Sequence, residues 1–97
     1  MLEIYAKEFC AIGTYIKSKR PPHKGYLLIE KKELEALLNR NRYDTASNKL
    51  RIWKKLKWID TEADRRLTKR VYDDGKYRPY VKLDVAVQEQ MSELLSK

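Results

Sequence analysis

Between residues 45 and 57, polar and basic side chains recur at helical spacing: Thr45, Ser47, Asn48, Arg51 and Lys55. Ala46, Leu50 and Trp53 recur three and four residues apart on the opposite side. This spacing predicts a helix with one face turned to a core and the other to solvent. A guanidinium can bond guanine O6 and N7 together, and an asparagine amide can do the same with adenine N6 and N7, from a helix lying in the major groove. The chemistry available to this face is non-covalent recognition of base edges, with Asn48 and Arg51 as the readers. Thr45 and Ser47 stand near the helix amino terminus, where free amides already favour an anion, and suit a phosphate. An ordinary solvated helix has a similar face, so the surroundings of this helix decide between the two.

Those surroundings are basic. The chain carries 22 Lys and Arg against 14 Asp and Glu, a formal charge of +8. Residues 17 to 82 hold 20 of those cations and 9 of the acids, whereas the two ends together are net negative. General solubility does not require the sign to change along the chain. The segregation instead implies a polyanionic partner met by the middle of the sequence, nucleic acid first and an anionic membrane surface second.

Residues 65 to 83 alternate with a period of two around Asp74-Gly75, which predicts a β-hairpin closed by a tight turn with positive φ at its centre. Pro79 lacks an amide proton and is expected to face outward on an edge. Arg65, Arg66, Lys69, Arg70, Lys76, Arg78 and Lys82 crowd the two legs, where they are expected to lie along a phosphate backbone and supply affinity with little sequence information. Asp73 and Asp74 near the tip repel phosphates, so the legs rather than the tip are expected to make contact.

These segments need elements to hold them. Leu2, Tyr5, Phe9, Ile12 and Ile16 predict a helix over residues 1–19, with Lys7 and Glu8 off its apolar stripe. Pro21, Pro22 and Gly25 end it in a basic loop. Tyr26 to Ile29 reads as a short buried strand. Leu34, Leu37 and Leu38 predict a helix over 31–39, a polar turn follows, and the next helix is expected over 45–58 with an inward stripe running on to Trp58 and Ile59. Asp84 is placed to cap a last helix over 85–96 bearing Val87, Met91, Leu94 and Leu95.

With its segments ELEALLN and YDTASNKLRIWKKLKWID followed by the hairpin, the chain resembles the winged helix-turn-helix superfamily of DNA-binding domains over residues 25–84. The resemblance implies one α+β domain across residues 1–97: a three-helix core, a short strand and a β-hairpin wing, here with an additional C-terminal helix. It implies a recognition helix in the major groove and a wing on the backbone, with Lys31, Arg40 and Arg42 also meeting phosphates. The expected partner is double-stranded DNA bound sequence-specifically, and the expected role is a small transcriptional regulator or an accessory factor marking a replication, partition or transfer site on a mobile element. The competing expectation is a protein- or RNA-interaction module of the same form that leaves duplex DNA alone.

Other chemistries fare poorly. His23 is the sole histidine and lies in the Pro-rich loop, so no metal cluster or histidine-based catalytic set is expected, and the protein is read as a non-enzyme. Glycine occurs only at 13, 25 and 75, too sparsely for a phosphate-cradling loop, so no cofactor is expected. Cys10 is the only cysteine, excluding an internal disulfide, and it reads as a small buried hydrophobe. No apolar run approaches the ~18 residues of a membrane span, and the expected location is cytoplasmic, on the nucleoid. Neither a membrane nor a small-molecule ligand is expected as a partner. The apolar stripes of the first and last helices are expected to cover each other or a second copy of the chain in a homodimer.

Overall fold

The computed structural model describes residues 2–61, 67–73 and 75–96. Its elements run α1 (Glu3–Lys19), β1 (Tyr26–Ile29), α2 (Lys31–Leu38), α3 (Ala46–Lys55), β2 (Ile59–Asp60), β3 (Lys69–Asp73), β4 (Lys76–Asp84) and α4 (Val85–Leu95). The fold is thus α+β, with four helices and a four-stranded antiparallel sheet among the described residues. Among the described residues, no helix is long and apolar enough to cross a membrane.

β4 organises the sheet because it is long enough to serve two sets of partners. Its first half pairs with β3 from Asp73↔Lys76 to Lys69↔Tyr80. Its second half pairs with β1, from Ile29↔Val81 to Tyr26↔Asp84, and with β2 through Ile59↔Leu83 and Asp60↔Lys82. The two-residue connection between β3 and β4 includes Gly75 at φ +81, as a primed turn requires. The closing pair of such a hairpin exchanges both hydrogen bonds, so alternation leaves Arg70↔Pro79 a non-bonded pair and the missing proline amide costs the ladder nothing.

Side chains alternate across the sheet, and each face has its own cluster. Leu27, Ile29, Ile59, Val81 and Leu83 face the helices, where they join Phe9, Ile12, Ile16, Leu34, Leu38, Ala46, Leu50 and Trp53 in the main core. Phe9 stands edge-on to Trp53 with ring centroids 4.9 Å apart and lies 5.3 Å from Trp58, so both tryptophans are packed rather than offered for stacking. Leu28, Val71 and Tyr80 form a smaller cluster on the outer face, joined by half-buried Tyr26.

α1 and α4 bury most of their stripes against each other and the main core, and of the stripe residues expected to meet each other or a second copy only Leu2 and Leu94 are exposed. The two helices meet at Gly13, where an added Cβ would stand 2.6 Å from Gln88 Cγ. Gln88 is buried and pinned: Lys17 donates to its Oε1 at 2.8 Å, and its own amide donates to the Cys10 carbonyl at 3.4 Å. Alanine is the better helix former by roughly 1 kcal/mol, yet forcing a methyl into a packed contact costs about 1–3 kcal/mol. Gly13→Ala is therefore expected to lose about 1 kcal/mol in urea unfolding, whereas the same change at an open helical site gains stability.

α3 stops three residues short of the expected 58. Its end is a Schellman turn, with the Lys57 amide donating to the Lys54 carbonyl at 3.0 Å and the Trp58 amide to the Trp53 carbonyl at 2.9 Å. Lys57 takes the left-handed conformation, φ 63, that glycine usually fills, so nothing in the sequence marks the stop. Trp58 then turns away from the helix and Ile59 enters β2 rather than the helical stripe. The Asp84 side chain caps α4 by accepting from the Val87 amide at 3.3 Å.

Candidate nucleic-acid interface

The register of α3 is set by what it buries. Ala46, Lys49, Leu50 and Trp53 face inward, and Ser47, Arg51 and Lys55 are exposed on the other side. Lys49 is the surprise, a fully buried cation within an apolar stripe. Its ammonium lies 3.0 Å from Glu8 of α1 and donates to the carbonyls of Leu38 at 2.6 Å and Asn41 at 2.5 Å. The Tyr43 ring covers it at 4.2 Å.

Glu8, expected off the apolar stripe of α1, is instead buried and also accepts from Asn41 Nδ2 at 2.8 Å and from the Tyr43 hydroxyl. Burial, followed by the hydrogen bond and charge of Glu8, pushes the Tyr43 phenol far above its ordinary range, so it stays a donor. This network fastens the connection between α2 and α3 to α1. It fixes the ground on which Arg40 and Arg42, both exposed, are carried.

The amino terminus of α3 is already occupied by its own chain. Thr45 is the N-cap, its hydroxyl oxygen accepting from the Asn48 amide at 3.1 Å. Asp44 accepts from the Thr45 amide at 2.8 Å, the Tyr5 hydroxyl at 2.7 Å and the Asn48 side-chain amide. The Tyr5 and Asn48 hydrogen bonds hold the Asp44 carboxyl below the usual carboxylate range, so a negative charge sits beside these amides. Two expectations change as a result. Thr45 fixes the helix start instead of offering a phosphate site, and Asn48, half-buried and bonded through its amide to Asp44, cannot make a two-bond adenine contact without breaking that link. Of the two residues expected to read bases, Arg51 keeps an exposed side chain, with exposed Ser47 on the same side of α3.

The hairpin cations do not form one row. Cross-strand pairing puts Arg70, Tyr72, Tyr77 and Pro79 on the face shared with Val81, and Lys69, Val71, Arg78 and Tyr80 on the outer face. Tyr72 and Tyr77 meet edge to face at 5.2 Å and remain 58% and 69% exposed, the most exposed aromatic pair in the described chain. Arg70, Lys76 and Arg78 are exposed. Arg78 also lines a recess with Lys31 and Lys32 at the start of α2, beside Glu30, which joins the hairpin base to that helix.

Lys69 and Lys82 depart from expectation. Both reach Asp60, at 2.9 Å and 3.5 Å, on the outer face of the sheet. Burial works against the Asp60 charge, but the Lys69 hydrogen bond and the charges of both lysines outweigh it and hold the carboxyl below its usual range. Both ammonium groups are thus engaged by a carboxylate of their own chain. Arg65 and Arg66 lie outside the described residues.

Cys10 is buried against α4, and desolvation pushes its thiol up, which makes it a poor nucleophile. Among the described residues, no group of three or more His, Cys, Asp or Glu side chains is assembled to hold a metal. No protein-family model matches this sequence, and no curated protein matches it.

Proposed function

We propose that the protein is a winged helix-turn-helix, sequence-specific binder of double-stranded DNA that sets α3 in the major groove and the β3–β4 hairpin along the backbone. The observation that carries this reading is the register of α3: with Ala46, Lys49, Leu50 and Trp53 buried, Ser47, Arg51 and Lys55 are left on a solvent face of the dimensions a groove accepts. The order of elements supports it, since α2, α3 and the strands follow one another with a hairpin projecting beyond the sheet. Arg51 reads a base edge with Ser47 beside it, and Lys31, Arg40, Arg42, Lys55, Arg70, Lys76 and Arg78 meet phosphates. The role that fits is a small regulator or a site-marking factor on a mobile element, located wherever the cell's DNA is.

Selection from a randomised duplex pool tests this division of labour. Arg51→Ala is expected to relax preference at one base position, a loss of about 1–3 kcal/mol against the preferred base. Arg78→Ala is expected to weaken all sequences alike and to lower the salt slope by about one. If the two variants behave identically, the assignment of reading to α3 and holding to the hairpin is wrong. If no duplex is enriched at all, the protein is an interaction module instead.

A further inference from the structure

Asn48, Arg51 and Lys55 stand at i, i+3 and i+7 of α3, on the side away from buried Ala46, Leu50 and Trp53. Asn48 is the half-buried member of that stripe, and its side chain is fixed one way round. Its Nδ2 donates to Asp44 Oδ2. The Tyr5 and Asn48 hydrogen bonds hold the Asp44 carboxyl below its usual range, so it is ionised and can only accept. A pure acceptor facing the Asn48 amide settles which end of that amide meets it: the nitrogen does, and the oxygen is left over.

That oxygen is open. Among the described residues nothing donates to Asn48 Oδ1, and the one buried side-chain polar atom without a partner is Trp53 Nε1, so solvent reaches Oδ1. The nitrogen is a poorer reader, because a base acceptor brought up to its second hydrogen meets the field of the Asp44 carboxylate. This end of the stripe therefore behaves as an acceptor. In the major groove, cytosine offers the N4 donor, adenine offers the N6 donor beside the N7 acceptor, and guanine and thymine place acceptor oxygens there.

We infer that Asn48, held by Asp44, is a specificity-determining residue that accepts from an exocyclic amine in the major groove, cytosine N4 ahead of adenine N6, and rejects guanine and thymine at the same position. Asp44 is a positioning residue that acts through Asn48. Arg51 follows at i+3, a spacing that sets Cβ atoms roughly 5–6 Å apart. A guanidinium on guanine and Oδ1 on cytosine then suit one G·C pair or two neighbouring pairs. The inference rests on the duplex-binding reading above and adds a second base contact to it.

Selection from a randomised duplex pool defines the preferred site, and fluorescence anisotropy with each base in turn at every position measures the preference there. The wild type is expected to favour cytosine or adenine over guanine and thymine by about three- to tenfold at one position, in the pair read by Arg51 or the next. Asn48→Ala is expected to flatten that position and leave the Arg51 position as it was. Asp44→Asn keeps the shape but can donate as well as accept, so the Asn48 amide is free to turn, and guanine or thymine is expected to be tolerated. Read as a ratio between bases, this change is independent of the general gain in affinity from losing a negative charge. An unchanged profile in Asn48→Ala overturns the inference and leaves reading by Arg51 standing. A preference for guanine or thymine that is lost in Asn48→Ala overturns the acceptor assignment, and a wild-type profile in Asp44→Asn overturns the positioning role. No enriched duplex overturns the α3 reading and this inference together.

Discussion

Lys49→Ala is expected to cost about 3–5 kcal/mol of folding stability, the loss typical of removing one partner from a buried ion pair. The change strands the Glu8 carboxylate in the interior and leaves the carbonyls of Leu38 and Asn41 without their donor. Against a total of about 5–15 kcal/mol for a domain of ordinary stability, that is a large fraction. Glu8→Ala is expected to cost a similar amount, since it leaves a buried ammonium and removes the acceptor of Asn41 and Tyr43. The two losses do not add: in a double-mutant cycle followed by urea unfolding, a coupling of about 1–3 kcal/mol is expected. A loss below about 1 kcal/mol for Lys49→Ala, the range of exposed pairs, contradicts the buried network described above.

Duplex affinity is expected to fall by roughly 10³ to 10⁵ as salt rises from about 50 to 200 mM, the response of a protein engaging about 6–10 phosphates. The mechanism is release of counterions condensed on the duplex, so the slope counts contacts whatever the sequence bound. Lys31, Arg40, Arg42, Lys55, Arg70, Lys76 and Arg78, the residues assigned to phosphates, are basic and exposed, and full engagement of this set gives a logarithmic slope of about −6. Lys49, Lys69 and Lys82 are left out of that set: each stands against a carboxylate of its own chain and is only partly exposed or buried. Fluorescence anisotropy of a labelled random duplex measures the slope directly. A slope shallower than about −2 leaves too few phosphate contacts for the hairpin and the α2–α3 connection to take part.

Where each element lies was legible because its signal is local. Period-four stripes, the Asp74-Gly75 turn and the Asp84 cap act over a few residues, and they mark the helices and the hairpin. The end of α3 was not legible because a lysine holds the position where glycine would have announced a Schellman turn. β2 was missed because two residues carry no period, and its place depends on β4, more than 20 residues away.

The buried pair did leave a trace. Glu8 was expected off the apolar stripe of α1, yet Tyr5, Glu8, Phe9 and Ile12 follow the same i, i+3, i+4, i+7 pattern as Ala46, Lys49, Leu50 and Trp53, each set carrying one charge, of opposite sign, on a buried position. Two complementary charges on two inward stripes are a reason to expect them to meet. The fates of Lys69 and Lys82 are different, since both were claimed by Asp60, whose proximity is set by the backbone path, and composition alone treats all exposed cations as equivalent. Basic residues counted along a chain therefore overstate the surface that remains for a partner.

The contact surface itself is the central claim, and titrating the isotope-labelled protein with a short duplex while following backbone and side-chain NMR signals locates it. The largest shifts are expected at Ser47, Arg51 and Lys55 of α3, at Arg40 and Arg42 ahead of it, and at Arg70, Lys76 and Arg78 of the hairpin. Shifts confined to the α1–α4 surface, or no shifts at low salt, contradict it.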